Sequence, residues 1–321
     1  MTQLPTCRPC QIESSANGPG WLVESLWVDQ AVGVLGGEPK CCKSFLALDL
    51  AVSVASGAPC LRQFPPRVTG PVLLFAAEDA LPVVRQRLAG IATAAGVSFD
   101  TLNIHVITVP VLRLDRPSDC DRLRQTVDAL RPRLLVLDPF VRLHRIDENA
   151  ATEVAPLLDF LRQLQRGLGA AVVLVHHARK SAAARPGQAL RGSSELHAWG
   201  DSNLYLRRSK DSLSLSVEHR AASSISALPL QLHQHGDALA LRVAPAADSS
   251  PPAPSPTSDS PSPEQRIEQI LRAADGPMTR RQLREACRIR ASTFSQGLAQ
   301  LLSLGRVLHA DGGFLLAHSE A

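Results

Sequence analysis

The run from Ala31 to Ser56 constrains the fold more than any other part of the chain. Ala31–Leu35 is apolar, ends in Gly36-Gly37, and suits a buried strand. The turn Gly37-Glu38-Pro39-Lys40-Cys41-Cys42-Lys43-Ser44 follows, and Lys43–Ser56 then reads as a helix. A strand, a glycine-led turn closing on Lys-Ser and a helix, in that order, fit the pattern G-x-x-x-x-G-K-[ST], except that Cys42 stands where the second glycine is expected. In such a turn, backbone N–H groups and the helix N-terminus cradle phosphates, the lysine reaches the β- and γ-phosphates, and the hydroxyl binds Mg²⁺. Gly37, Glu38, Pro39, Lys40, Cys41, Cys42, Lys43, Ser44 and Phe45 are therefore the expected nucleotide contacts. A side chain at position 42 restricts the backbone there, while Pro39 and Lys40 stiffen the turn.

The rest of the first 243 residues repeats the alternation. Pro71–Ala76, Ile104–Val109, Leu134–Leu137 and Ala171–Val175 are strand candidates, and Leu81–Ala95, Cys120–Leu130 and Ala151–Leu168 are helical. That order predicts an α/β fold with a mostly parallel sheet covered on both faces. After Asp201 the short runs Asn203–Leu206, Leu213–Val217, Leu228–Leu232 and Ala238–Val243 suit antiparallel strands added at one edge.

Acidic and basic groups fall at the predicted strand ends. Leu134–Leu137 runs into Asp138, a carboxylate placed to hold the water shell of Mg²⁺ together with Ser44. The second strand runs into Ala77-Glu78-Asp79, where Glu78 is expected beside the loop strand as a general base for water and Asp79 as the cap of the next helix. Glu78 in the first turn of that helix is the alternative. The fifth strand runs into His176-His177, of which His176 is taken as the γ-phosphate sensor and His177 as structural. Neighbours on a strand point to opposite faces, which argues against a shared metal. The segment from Arg179 to Arg191 reads as a basic loop, either lining a channel for nucleic acid or simply solvated.

Composition narrows the class. The chain has 321 residues with 45% hydrophobic residues, enough for an α/β domain and a small second one. Aromatic residues make up only 4%, so stacking platforms for bases are scarce. A net charge of +4 permits contact with nucleic acid without demanding it. No apolar run reaches the ~18–20 residues of a membrane span, which predicts a soluble protein. The odd cysteine count of 7, irregularly spaced with no preceding signal segment, predicts reduced thiols and a cytoplasmic location. Cys7 and Cys10 have the spacing of half a zinc site but lack a second pair.

Residues 1–20 are polar with Pro and Gly and read as a flexible arm, and residues 244–263 form a Pro/Ser-rich linker. Beyond it, residues 264–321 show three helical stretches, Glu264–Ala274, Arg280–Cys287 and Ile289–Leu304, with Thr279 as a cap. Two short strands around Asp311-Gly312 complete the pattern of a winged helix-turn-helix. Arg280, Arg281, Arg284, Arg288 and Arg290 are placed to meet duplex DNA, with protein docking as the alternative use.

Taken in order, Val32-Gly33-Val34-Leu35, Lys43-Ser44, Thr69-Gly70-Pro71-Val72, Ala77-Glu78-Asp79, Arg87-Leu88, Val136-Leu137-Asp138, Glu148-Asn149-Ala150, His176-His177-Ala178 and Arg191-Gly192-Ser193-Ser194 resemble the RepA-like hexameric helicases within the RecA-like ATPase superfamily. The resemblance runs from about Trp21 to Arg208. It implies a RecA-like core that uses ATP and Mg²⁺, a homo-oligomeric ring of hexamer type, catalysis at subunit boundaries and single-stranded DNA through the centre. Lys43, Ser44, Glu78, Asp138 and His176 match its nucleotide-site motifs. The arginine finger does not transfer cleanly, because His197–Asp201 holds no arginine. Arg207, Arg208 and Arg220 are candidates, and Arg220, just past the strand Leu213–Val217, is preferred. A nucleotide-gated DNA-binding regulator with little turnover is the rival reading.

Overall fold

The computed structural model describes residues 6–11, 20–177, 194–209, 212–236, 238–245, 263–274, 276–287, 291–310 and 313–317. The expected basic loop, the Arg-Gly-Ser part of the motif at 191–193, most of the arm and linker, Arg288, Arg290 and Asp311-Gly312 lie outside the described residues. The chain divides into two compact units, Met1–Ala247 and Asp248–Ala321.

The first unit opens with a hairpin of two very short strands, β1 (Trp21–Val23) and β2 (Trp27–Val28), and enters β3 (Val32–Gly37). There follow α1 (Lys43–Ser56), β4 (Val72–Ala76), α2 (Leu81–Ala95), β5 (Ile104–Val106), α3 (Pro117–Leu130), β6 (Leu134–Asp138), α4 (Ala151–Leu168), β7 (Ala171–His177) and α5 (Ser194–Trp199). Four strands close the unit: β8 (Ser202–Ser209), β9 (Ser212–His219), β10 (Ile225–His235) and β11 (Ala238–Val243). One nine-stranded sheet has the order β11-β10-β9-β8-β3-β7-β6-β4-β5. From β5 to β8 neighbours are parallel, and β9, β10 and β11 are added antiparallel beyond β8. The sheet is thus doubly covered where it is parallel: α1 and α2 pack on one face, α3, α4 and α5 on the other. At the far edge β11 packs against α2, where Gly90 leaves room for Ala238.

The central strands β3, β4, β6 and β7 are buried on both faces, which is why they read as unbroken apolar runs rather than alternating ones. Each such Val or Leu contributes roughly 1.5–3 kcal/mol by burial. The third strand is shorter than Ile104–Val109, because Pro110 restricts Val109 and can donate no ladder hydrogen bond; Ile107 N–H still reaches the Leu74 carbonyl at 2.8 Å. Asp79 does not cap α2: Ala80 occupies that position without a side-chain cap, and Asp79 instead pairs with Arg87 on the helix.

Helix α1 carries one buried acid. Asp49 is fully enclosed, pairs with Arg62 and accepts the Leu61 N–H at 3.3 Å. Burial pushes its carboxyl up to about 7, against the opposing pull of the Arg62 charge and the Leu61 hydrogen bond. A folded value above the unfolded one means that the folded state binds the proton more tightly, so this group adds stability as pH falls through about 7 towards about 4 and loses it as pH rises. Wild type should therefore gain on Asp49→Asn when melting temperatures are compared between about pH 8 and pH 5. A difference that stays constant over this range would refute the account.

The second unit contains α6 (Pro263–Arg272), α7 (Arg280–Cys287), α8 (Ala291–Ser303) and the antiparallel pair β12 (Val307–Ala310) and β13 (Gly313–Leu316). Met278 adds a bridge to Phe314. Ile267, Leu271, Leu283, Cys287, Phe294, Leu298, Leu301, Val307 and Phe314 form its own core. Thr279 does begin α7: its hydroxyl accepts the Gln282 N–H while Gln282 Oε1 accepts the Thr279 N–H, a reciprocal cap. Among the described residues no helix is long and apolar enough to cross a membrane.

Candidate nucleotide site

The carboxyl ends of β3, β7, β6 and β4 meet on one edge, and the loop after β3 lies there. Gly37 begins it for a packing reason. A Cβ on this residue would stand 2.5 Å from the Leu206 carbonyl oxygen and 2.6 Å from the Cys41 sulfur. Lys40 and Cys42 both take left-handed backbone conformations, with φ of 63° and 66°. The loop thus keeps the path a glycine would give it, with a cysteine in place, at a cost of about 1–2 kcal/mol for each such residue. Cys42 occupies the N-cap of α1 without a side-chain cap bond, leaving the helix N–H groups directed at the loop's hollow.

Lys43, only 6% exposed, folds its ammonium back onto the loop and donates to the carbonyls of Gly37 at 3.1 Å and Glu38 at 2.8 Å. The Ser44 hydroxyl lies close enough to Asp138, at the end of β6, to hold its carboxyl down. Burial raises the Asp138 carboxyl to about 6, and the nearby Asp79 and Glu78 charges add to the rise, while Ser44 and Lys43 oppose it. A hydroxyl and neighbouring carboxylates of this kind are hard oxygen donors, the set Mg²⁺ prefers. Among the described residues, however, no cluster of three or more His, Cys, Asp or Glu side chains is able to hold a metal alone. Such oxygen donors suit a cation that keeps part of its water shell.

Glu78 follows β4, and β4 does not neighbour the loop strand. β3 is flanked by β7 and β8, with β7 and β6 intervening before β4. Glu78 comes to the site through β6 instead, because the Ala77 N–H donates to the Asp138 carbonyl at 2.7 Å. Its exposed carboxylate accepts from Arg142 Nε at 3.2 Å and lies 3.9 Å from His177 Nε2.

The two histidines at the end of β7 separate as strand geometry requires, but in the opposite sense to the sequence reading. His176 shares a face with Val172 and Leu174, is 1% exposed, and sits edge-on to buried Phe140 with ring centroids 5.9 Å apart. His177 shares a face with Val173 and Val175, on the α1 side, and is the one beside Glu78. Phe45 lies against α2 with the Arg87 guanidinium 5.3 Å from its ring, and Arg87 in turn holds Asp79. The segment carrying Glu78 is thereby tied to the start of α1.

Arg220 leaves β9 at the amino end of the parallel strands, remote from the loop. Its backbone N–H donates to Asp201 at 2.9 Å, and its guanidinium donates to the Ala198 carbonyl at 2.6 Å. Gly37 lies opposite Leu206, five residues along from Asp201, so roughly 15 Å of strand separates this end from the start of the loop. Two arginines reach the site: Arg142, on Glu78, which the sequence does not single out, and Arg208, one of the finger candidates, whose guanidinium contacts the Cys42 sulfur at 3.3 Å. Arg142 carries no sequence signal beyond standing four residues after Asp138.

The sequence pattern of the AAA domain family matches residues 4–183, more than half of the chain. The chain belongs to that family. Solved structures with the same fold include the RadB recombinase, with a TM-score of 0.50 and 16% identity over 67% of this chain and 91% of that one. A DnaB-like replicative helicase, in a structure describing its interactions with primase, gives a TM-score of 0.50 and 15% identity over 66% of this chain and 57% of that one. At these identities the likeness is one of fold: this AAA domain has the RecA-like arrangement of strands and helices, with the Lys43-Ser44 loop at the carboxyl edge of its sheet.

Proposed function

We propose that this AAA domain protein is a Mg²⁺-dependent ATPase acting on DNA, a RepA-like ring of identical subunits. The observation that carries the reading is the convergence of Lys43, Ser44, Asp138, Glu78 and His177 along one edge of the sheet. In the proposed cycle, Lys43 leaves the Gly37 and Glu38 carbonyls for the nucleotide's phosphates. Ser44 and Asp138 would hold Mg²⁺, which would supply charge neutralisation at the phosphates. Glu78 orients and deprotonates the attacking water, with Arg142 and His177 fixing its carboxylate. His177 rather than His176 reports the γ-phosphate, because it alone of the pair faces the α1 side. Arg220 is too far from its own subunit's loop to serve it, so a finger role places it at the nucleotide of a neighbouring copy.

The second unit is assigned as a winged helix: three helices and a two-stranded wing, with Arg280, Arg281 and Arg284 exposed on α7. Duplex DNA is its proposed partner, and the channel of the ring is the proposed path for single-stranded DNA. The RadB recombinase and the DnaB-like replicative helicase, whose fold this chain shares, are consistent with such a role.

Steady-state ATP hydrolysis with and without single-stranded DNA tests the proposal. Turnover should require Mg²⁺, rise with DNA and be abolished in Lys43→Ala together with ATP binding. Binding without turnover, indifferent to DNA, would leave a nucleotide-gated regulator in its place.

A further inference from the structure

The P-loop is approached from a second side by β8. This strand runs parallel to β3, with Gly37 opposite Leu206, and continues past the start of the loop to Ser209. Side chains alternate along it. Leu204 and Leu206 join the core on the α1 side and Tyr205 joins the opposite one, so Arg208 shares the face of α1 while Arg207 points away. Arg208 is exposed, yet its guanidinium is not in open solvent alone: it donates to the Cys42 sulfur at 3.3 Å. Cys42 is the N-cap of α1, the residue whose following N–H groups face the phosphates in a loop of this kind. A thiol is a weak acceptor for a guanidinium. A phosphate oxygen is a strong one, and it can be taken in a forked, two-bond geometry.

We infer that Arg208 is a nucleotide-binding residue acting in cis, clamping the polyphosphate of the nucleotide held by its own subunit's P-loop. The guanidinium rests on Cys42, and on nucleotide binding it exchanges the sulfur for phosphate oxygen. The cysteine at the loop's glycine position thereby gains a purpose: its side chain holds the arginine at the mouth of the cradle. Lys43 and Arg208 then grip the phosphates from two sides, one from within the loop and one from the neighbouring strand. This assignment rests on the reading of the Lys43-Ser44 loop as the ATP site, and it removes Arg208 from the candidates for a finger acting between subunits.

The test is equilibrium binding of fluorescent ATP and ADP to the full chain, diluted until it is monomeric, for wild type, Arg208→Ala, Arg208→Lys and Lys43→Ala. Arg208→Ala should weaken both nucleotides on the order of tenfold, with Arg208→Lys recovering part of the loss. Displacement by inorganic tripolyphosphate should weaken in parallel, because the contact is to phosphate. Unchanged affinities in Arg208→Ala, with binding lost in Lys43→Ala, would overturn the cis clamp while leaving the ATP site standing. A loss confined to nucleotides, with tripolyphosphate unaffected, would make Arg208 a base contact and overturn the phosphate assignment. A loss seen only at concentrations where the chain assembles would return Arg208 to a role between subunits. No effect of Lys43→Ala would instead overturn the ATP site itself.

Discussion

Glu78→Gln should leave ATP binding within about threefold of wild type and lower kcat by roughly 10²–10⁴-fold, the usual share of a general base. The substitution keeps the shape of the side chain and the oxygen that accepts from Arg142 Nε. It removes the charge that would take a proton from water, so a split between binding and turnover separates the chemical role from a structural one. Glu78 is exposed and stands outside both cores, and its loss has no route to unfolding the sheet. Single-turnover hydrolysis with nucleotide binding measured on the same sample checks it. Turnover near the wild-type rate would remove Glu78 from the mechanism and leave the neighbouring Asp79, already committed to Arg87, as a poor substitute.

Local chemistry was legible in the chain, and long-range pairing was not. The loop between a strand and the helix at Lys43, the acid closing β6 and the cap at Thr279 are each written within a few consecutive residues, and each stands in the fold where those residues predict. The order of the strands is not local. Nothing in Pro71–Ala76 says that β6 and β7 will insert between it and the loop strand, so Glu78 was expected beside β3 and instead arrives through Asp138. The same limit governs the histidines. β7 is apolar on both faces from Ala171 to Val175, so no alternation marks which parity faces α1, and the choice between His176 and His177 needs the sheet. Arg208 meets Cys42 across 166 residues, a contact set by the register of β8 on β3. The hairpin β1–β2, of three and two residues, is shorter than any periodic signal can resolve.

Gly33→Ala should destabilise the first unit by about 2–4 kcal/mol, and its effect should reach the nucleotide site although Gly33 touches none of it. A Cβ at this position would stand 1.7 Å from the Ser202 carbonyl oxygen and 3.1 Å from the Trp27 ring. Neither neighbour is free to yield. Trp27 is fully buried, and its indole N–H donates to the Ala31 carbonyl at 3.2 Å. Ser202 opens β8, and the residues on either side of it are bonded to β3: the Asp201 N–H donates to the Val32 carbonyl at 2.7 Å, and Asn203 Oδ1 accepts from the Val34 N–H at 3.0 Å. A methyl group therefore has to push β8 away from β3 at its start. The displaced strand is the one that carries Leu206 over Gly37 and Arg208 onto Cys42, so the loop loses its backing at the other end of the same ladder. Thermal melting should show a drop of about 5–15 °C for a unit of this size, and nucleotide affinity should fall in the fraction that remains folded. A variant with wild-type melting and wild-type ATP affinity would mean that β8 is free to move against β3, and the coupling from Gly33 through β8 to the P-loop would not exist.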